Sequence, residues 1–338
     1  MIRLTENESL KDRHTFGVPA CARYFLETDD LNELFDFKNS QKGIWSNHLI
    51  IGEGSNLLFL TDYPGLIIHP LSLGIEVITQ NNDYVIIEAG AAENWDDLVD
   101  WSVSKGFAGL ENLSMIPGSV GAAPVQNIGA YGAEAKNFIT EVFVADLNNY
   151  TSFWIPADKC EFGYRQSIFK NKETQKWMVW KVRFKLYLNN RTNPSYQGLQ
   201  EHLKNMLNPG IIEVRQAVIN QRISKLPDPK ETGNAGSFFM NPIIPDTQVN
   251  ELLSIFPDMP VFPSVQPDHK KLAAGWLIEQ CGLKGYRQND AGIYPKQALV
   301  LVNYGKATGK QLIELANHIQ NTVKQKFEIQ LEPEVRII

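Results

Sequence analysis

Apolar residues fall in short runs through the first third of the chain, with glycine between them. Leu49-Ile50-Ile51, Leu57-Leu58-Phe59-Leu60, Leu66-Ile67-Ile68-His69 and Tyr84-Val85-Ile86-Ile87-Glu88-Ala89 are predicted as strands. The spacing predicts a helix over 94–105, acidic at its start and ended by Gly106. Residues 142–146 and 177–188 read as further strands. In the latter, Val179, Lys181, Arg183 and Lys185 alternate with Trp180, Val182, Phe184 and Leu186, which turns one face to water. Residues 188–194 read as a linker or mobile loop. Helical spacing over 211–224 is broken by Leu226-Pro227-Asp228-Pro229. The last third adds helices over 272–281 and 310–327, a buried strand over 298–303 and a terminal strand over 331–338. Short strands with interspersed helices predict an α+β fold and not an alternating βαβ array.

A chain of 338 residues has room for two or three domains. Its net charge of −6 leaves no basic surplus to neutralise phosphates, which argues against nucleic-acid or anionic-membrane partners. A local pocket for a small phosphorylated ligand remains compatible with it. Cys21, Cys160 and Cys281 lie far apart and form no Cys-x-x-Cys, so they read as reduced, packed thiols. The first ten residues are too polar for a secretory signal, and no apolar run approaches the ~20 residues of a membrane span. A cytoplasmic monomer is expected. The six histidines are scattered, with no metal-ligand spacing.

Five segments carry candidate chemistry. Gly52-Glu53-Gly54-Ser55-Asn56-Leu57 lies between two predicted strands, and its small residues let successive N–H groups converge on a phosphate. It is neither Gly-x-Gly-x-x-Gly nor a Walker loop, and an empty tight turn is its plain alternative. The stretch from Ile116 to Gly132, Ile-Pro-Gly-Ser-Val-Gly-Ala-Ala-Pro-Val-Gln-Asn-Ile-Gly-Ala-Tyr-Gly, holds four glycines, three alanines and two prolines without a charge. Such a stretch admits a large flat ligand close to the backbone. In Phe162-Gly163-Tyr164-Arg165-Gln166-Ser167-Ile168-Phe169-Lys170, Arg165 is a candidate carboxylate clamp or a surface arginine. Gly233-Asn234-Ala235-Gly236-Ser237-Phe238-Phe239 puts a serine in tight, apolar surroundings without a nucleophile elbow; a turn serine is the plain reading. Leu331-Glu332-Pro333-Glu334-Val335-Arg336 places two carboxylates on one face of a strand.

Together with Lys-Leu-Pro-Asp-Pro and Lys-Leu-Ala-Ala-Gly-Trp-Leu-Ile, these segments occur in an order that closely resembles the UDP-N-acetylenolpyruvoylglucosamine reductase (MurB) family, from about His14 to Arg336. The resemblance implies an FAD-binding region of the vanillyl-alcohol-oxidase/PCMH type, made of two α+β subdomains at 1–70 and 71–215, with 328–338 available to join the first. An α+β substrate-binding domain follows at 220–327. It implies non-covalent FAD, NADPH as reductant, and an enolpyruvyl ether of UDP-N-acetylglucosamine as substrate. Gly52, Glu53, Gly54, Ser55, Asn56 and Leu57 would surround the FAD, with Ile116, Pro117, Gly118, Ser119, Gly121, Ala122, Gln126, Asn127, Gly129, Ala130, Tyr131 and Gly132. Ser237, Arg165 and Glu334 would be the catalytic set. Tyr164, Tyr196, Lys225, Asn241, Lys271 and Gln297 would hold the sugar nucleotide, the Tyr196 loop marking the family's longer type. The chain departs from the pattern at Met240, where many relatives have Lys, and at Phe262-Pro263, where a tyrosine is common. It ends two residues after Arg336, without the usual tail.

In that reaction a hydride goes to the terminal vinyl carbon and a proton to the carbon bearing the carboxylate. The charge between these steps spreads into the carboxylate and calls for preorganised donors. Arg165 supplies one. Glu334 helps only if protonated or if it orients another donor. A serine hydroxyl is acid enough towards a carbanion without a histidine partner. Lys225 serves either the resulting alkoxide or the UDP phosphates. The rivals are a flavin oxidase of the same superfamily acting on another sugar or alcohol, and a nucleotide-sugar-binding protein that keeps only the fold. The catalytic trio argues against both.

Overall fold

The computed structural model describes residues 1–174, 176–189, 192, 197–204 and 206–338. Most of the 188–194 segment read as a linker, and Tyr196 with it, lies outside the described residues. The chain divides into two compact units, Met1–Glu8 with Ala22–Glu53 and Pro64–Ser224, and Ser9–Cys21 with Gly54–Tyr63 and Lys225–Ile338.

Among the described residues of the first unit, a five-stranded antiparallel sheet runs in the order Thr151–Pro156, Ile139–Asp146, Trp177–Tyr187, Tyr84–Gly90, Ile75–Gln80. Its inner face packs on the Trp95–Ser104 helix. Val85, Ile87, Val182, Phe184 and Leu186 meet Trp95, Leu98 and Val99 in one buried cluster. Burying each such side chain contributes roughly 1.5–3 kcal/mol. The helix begins where Asn94 accepts hydrogen bonds from the Asp96 and Asp97 N–H groups. The opposite sheet face is a polar lattice. Glu88, 5% exposed, accepts from Lys181 at 2.6 Å and Arg183 at 2.9 Å, and Arg183 also lies 3.9 Å over the Trp154 ring. Burial alone would raise the Glu88 pKa; the two cations outweigh it and hold it below the ordinary value. The alternation predicted a wet face, and from Lys181 to Lys185 the structure gives one covered in part by its own ion pairs; at a register shift Val179 turns into the cluster with Val182 and Phe184, and Trp180 packs in another. A second sheet, Ile2–Ser9, Cys21–Thr28, Tyr63–Pro70 and His48–Ile50, was expected only at its last two strands.

In the second unit, Gly233–Ser237, Val300–Asn303, Ala291–Ile293 and Arg287–Gln288 form one sheet. Ile243–Pro245, His269–Leu272 and Val261–Pro263 form another. The Gly309–Phe327 helix starts with a capping box between Thr308 and Gln311 and buries Leu312, Leu315, Ala316, Ile319 and Val323. Two strand expectations shrink. Of 57–60 only Leu57–Leu58 is a strand, and of 331–338 only Arg336–Ile337, the two pairing in parallel. Pro333 interrupts the rest, because proline offers no N–H to a ladder. No helix among the described residues is long and apolar enough to cross a membrane. No group of three or more His, Cys, Asp or Glu among them could hold a metal ion. All three cysteines are unpaired.

Candidate active site

Two glycine-bearing segments meet within the first unit. A Cβ on Gly52 would stand 2.3 Å from the Ser119 Oγ, so any other residue there would force that hydroxyl aside. Glu53 accepts from Asn94 at 3.0 Å, which ties the same turn to the helix start. Gly121 lies against Ala91, to whose carbonyl its N–H donates at 2.9 Å. Met115 and Gly118 take positive φ, +56° and +131°, and bend the chain sharply at Ile116-Pro117. The N–H groups of Gly118 and Ser119, both buried, donate to no protein acceptor among the described residues. Buried, uncommitted donors of this kind suit a phosphate oxygen, so the pair fits the pyrophosphate of a dinucleotide such as FAD.

The second half of the stretch is a tight hairpin. Gly129–Ala130 pairs with Ala133–Glu134. Tyr131 and Gly132 between them both have positive φ, +47° and +81°, as a type I′ turn demands. Asn127 is fully buried, its carboxamide donating to Glu134 at 3.0 Å and to the Gly163 carbonyl at 2.9 Å, and accepting from the Lys136 N–H at 2.9 Å. Gly163 and Gln166 bridge each other, leaving Tyr164 and Arg165 at the tip of a two-residue turn. The Arg165 guanidinium donates to the carbonyls of Gly129 at 2.8 Å and Asn127 at 3.4 Å, and lies 5.5 Å from the Tyr164 ring centroid. Lys170 donates to the Arg165 carbonyl at 2.9 Å. The structure thus joins the second and third motifs, which the sequence left 30 residues apart.

One residue of this region was missed. Arg222, on the Ile211–Lys225 helix, lies within electrostatic reach of Tyr131 and Asp96. Burial lowers its pKa, with Tyr131 and Asp96 opposing. The signal was there: Arg215 and Arg222 are seven apart and share a helix face. Arg215 grips Asp96 bidentately at 2.7 and 3.2 Å.

The second unit carries the other candidates. Ser237 ends the Gly233–Ser237 strand and is exposed, while Phe238 and Phe239 behind it are buried. The Glu334 N–H donates to the Phe238 carbonyl at 2.8 Å, and Phe239 bridges Pro333. Serine and glutamate, 97 positions apart in the sequence, therefore stand on adjacent backbones. Asn56 donates to the Glu334 carbonyl at 3.0 Å and accepts from the Arg336 N–H at 3.0 Å. Gly54 presses on Arg13 and His14, and burial lowers the His14 pKa. Asn241 accepts from the Ala274 N–H at 3.0 Å, and the Gln297 Oε1 lies 3.1 Å from where a Gly275 Cβ would stand. Lys271 precedes the same helix, Ala274–Gln280, and pairs across strands with Ile243 and Phe262. Three of the sugar-nucleotide candidates thus surround one helix start. Lys225 is exposed at the end of its helix. Met240 is half-buried, its N–H donating to the Glu332 carbonyl at 2.9 Å.

The family described as UDP-N-acetylenolpyruvoylglucosamine reductase, C-terminal domain, matches residues 228–338, and an FAD binding domain family matches 42–149. A UDP-N-acetylenolpyruvoylglucosamine reductase of Chromobacterium violaceum is 45% identical over 97% of both chains. That of Flavobacterium johnsoniae is 41% identical over the full length of both. The crystal structure of UDP-N-acetylenolpyruvylglucosamine reductase (MurB) from Thermus caldophilus covers 100% of this chain and 98% of its own, with a TM-score of 0.68 at 25% identity.

Proposed function

This chain belongs to the UDP-N-acetylenolpyruvoylglucosamine reductase family, and from that premise we infer that it is an FAD-dependent oxidoreductase of peptidoglycan precursor synthesis. It reduces the enolpyruvyl ether of UDP-N-acetylglucosamine to UDP-N-acetylmuramate, with NADPH as reductant. The observation that carries the mechanistic reading is the pairing of the Ser237 segment with the Glu334 segment. The cytoplasm is its place of action, and the net charge of −6 supports a small-molecule substrate over a nucleic-acid partner.

Gly52 and the uncommitted N–H groups of Gly118 and Ser119 support FAD binding through its pyrophosphate. Bound there, FAD supplies the hydride that the enolpyruvyl carbon receives. The residues do the rest. Arg165 pairs with the substrate carboxylate and offsets the negative charge that spreads into it as the hydride arrives. Its guanidinium is already held by the Gly129 and Asn127 carbonyls, so little reorganisation is needed. The exposed Ser237 hydroxyl gives its proton to the carbon bearing the carboxylate and recovers one from solvent. Glu334 acts as a neutral donor or orients one. Asn241, Lys271 and Gln297 hold the sugar nucleotide, and Lys225 takes either its phosphates or the Ser237 alkoxide.

Stopped-flow on the purified protein loaded with FAD tests this. NADPH bleaches the flavin absorbance, and the enolpyruvyl substrate restores it without oxygen. Absorbance that stays bleached after substrate is added overturns the assignment.

A further inference from the structure

The Ser237 strand contains a register shift. Asn234 pairs with Val302 and Ser237 with Val300, so three steps on one strand face two on the other. The extra residue is a β-bulge at Ala235-Gly236, with Gly236 at φ +68°. Side chains alternate along a strand, and directly paired residues share a face. Val302 and Val300 point the same way, so Ser237 takes the face of Asn234. Unbroken alternation would put it on the other.

One side chain spans this bulge. Asn234 is 5% exposed. Its Oδ1 accepts from the Gly236 N–H at 2.9 Å. Its Nδ2 donates to the Thr232 carbonyl at 2.8 Å and the Pro227 carbonyl at 3.3 Å. Its own N–H donates to the Thr15 carbonyl at 3.0 Å. The acceptor end fixes the Ala235–Gly236 peptide, one step before Ser237. The donor end anchors that peptide to the Leu226-Pro227-Asp228-Pro229 turn. An added Cβ at Gly236 would meet open space. No side-chain clash at Gly236 requires the bulge, and the Asn234 hydrogen bonds span it.

The geometry points to Asn234 as the positioning residue for the proton donor: its carboxamide brackets the bulge and aims the Ser237 hydroxyl. This rests on the proton-donor reading of Ser237. Asn234 touches no reacting atom itself and acts through Ser237.

The test is a double-mutant cycle on the FAD-loaded protein, read by stopped-flow in both half-reactions. Because a misplacement of about 1 Å costs on the order of 100-fold, Asn234→Ala slows substrate-driven reoxidation about 10- to 100-fold. FAD content and reduction by NADPH stay within about twofold of the parent. In a Ser237→Ala background the same substitution costs nothing further. Asn234→Asp keeps the acceptor for Gly236 and recovers part of the rate; it also serves if Asn234→Ala does not fold. Hydrogen exchange at the Gly236 amide, slow in the parent and fast in Asn234→Ala, reads the bracket without substrate. Multiplicative losses in the double variant, equal slowing of both half-reactions, or unchanged Gly236 exchange overturn the proposal. A parent protein that the substrate fails to reoxidise overturns the functional reading instead, while the exchange result still reports on the bracket.

Discussion

The Glu334 N–H donates to the Phe238 carbonyl at 2.8 Å, which locks the last turn of the chain onto the backbone beside Ser237. Because the contact is main chain to main chain, side-chain substitutions at either position leave the junction in place. Ser237→Ala therefore removes the hydroxyl and little else. We expect reduction by NADPH to survive and reoxidation by the enolpyruvyl substrate to fall by at least 100-fold. Equal slowing of both half-reactions makes Ser237 a structural residue.

Arg165 sits at positive φ with its guanidinium on two carbonyls of the glycine-rich hairpin. A lysine has a single charged head and cannot span both while meeting a carboxylate. Arg165→Lys is expected to lower the reoxidation rate about 100- to 1,000-fold, the usual cost of one lost oxyanion donor. The melting temperature should change little. Single-turnover kinetics beside a thermal melt decide it.

Glu111 is 1% exposed and accepts from the Gly109 N–H at 2.6 Å. Burial raises its pKa above the ordinary 4.5, with the backbone bonds opposing. The folded state then holds the proton more tightly than the unfolded one. Its contribution is most favourable below pH 4.5 and is lost as pH rises through the raised value. Glu111→Gln keeps an acceptor without the charge. The variant should match the parent in melts at pH 4 and exceed it at pH 8; the reverse order refutes buried-charge strain at this site.

Arg215 joins the Ile211–Lys225 helix to the start of the Trp95–Ser104 helix through its bidentate contact with Asp96. Asp96 also accepts from the Met115 N–H at 2.6 Å, at the entry to the glycine-rich stretch. Arg215→Ala should cost about 1.5–3 kcal/mol, the range for hydrogen bonds to charged groups. Chemical denaturation measures it, and FAD should be lost at lower denaturant than in the parent.

Cys21 is exposed, whereas Cys160 is buried and burial pushes its thiol up to about 12. The thiolate is the reactive form. A thiol reagent at pH 8 should label Cys21 in the folded protein and reach Cys160 only after unfolding. Labelling of Cys160 in the folded protein would show that its segment opens.

The sequence alone carried much of this. Alternation placed the two faces of the strand from Lys181 to Leu186, because a period of two is a local property; at Val179 and Trp180 a register shift that only the partner strand reveals exchanges them. The acidic start and apolar spacing announced the helix that Asn94 caps, and the ordered glycine motifs announced the family. It did not show the strand Ile2–Ser9, whose burial is mostly partial or absent and leaves no apolar period to read. The plain reading of the isolated Ser237 segment was a turn, where the structure has a bulged strand. A bulge shows only against the partner strand, here Val300–Asn303, more than sixty residues away. Arg165 was visible as a charged residue; its grip on the Gly129 and Asn127 carbonyls was not. Residue types and spacing decide which groups are present. Long-range pairing decides where they point, because direction is fixed by hydrogen bonds to chain segments the local sequence does not contain.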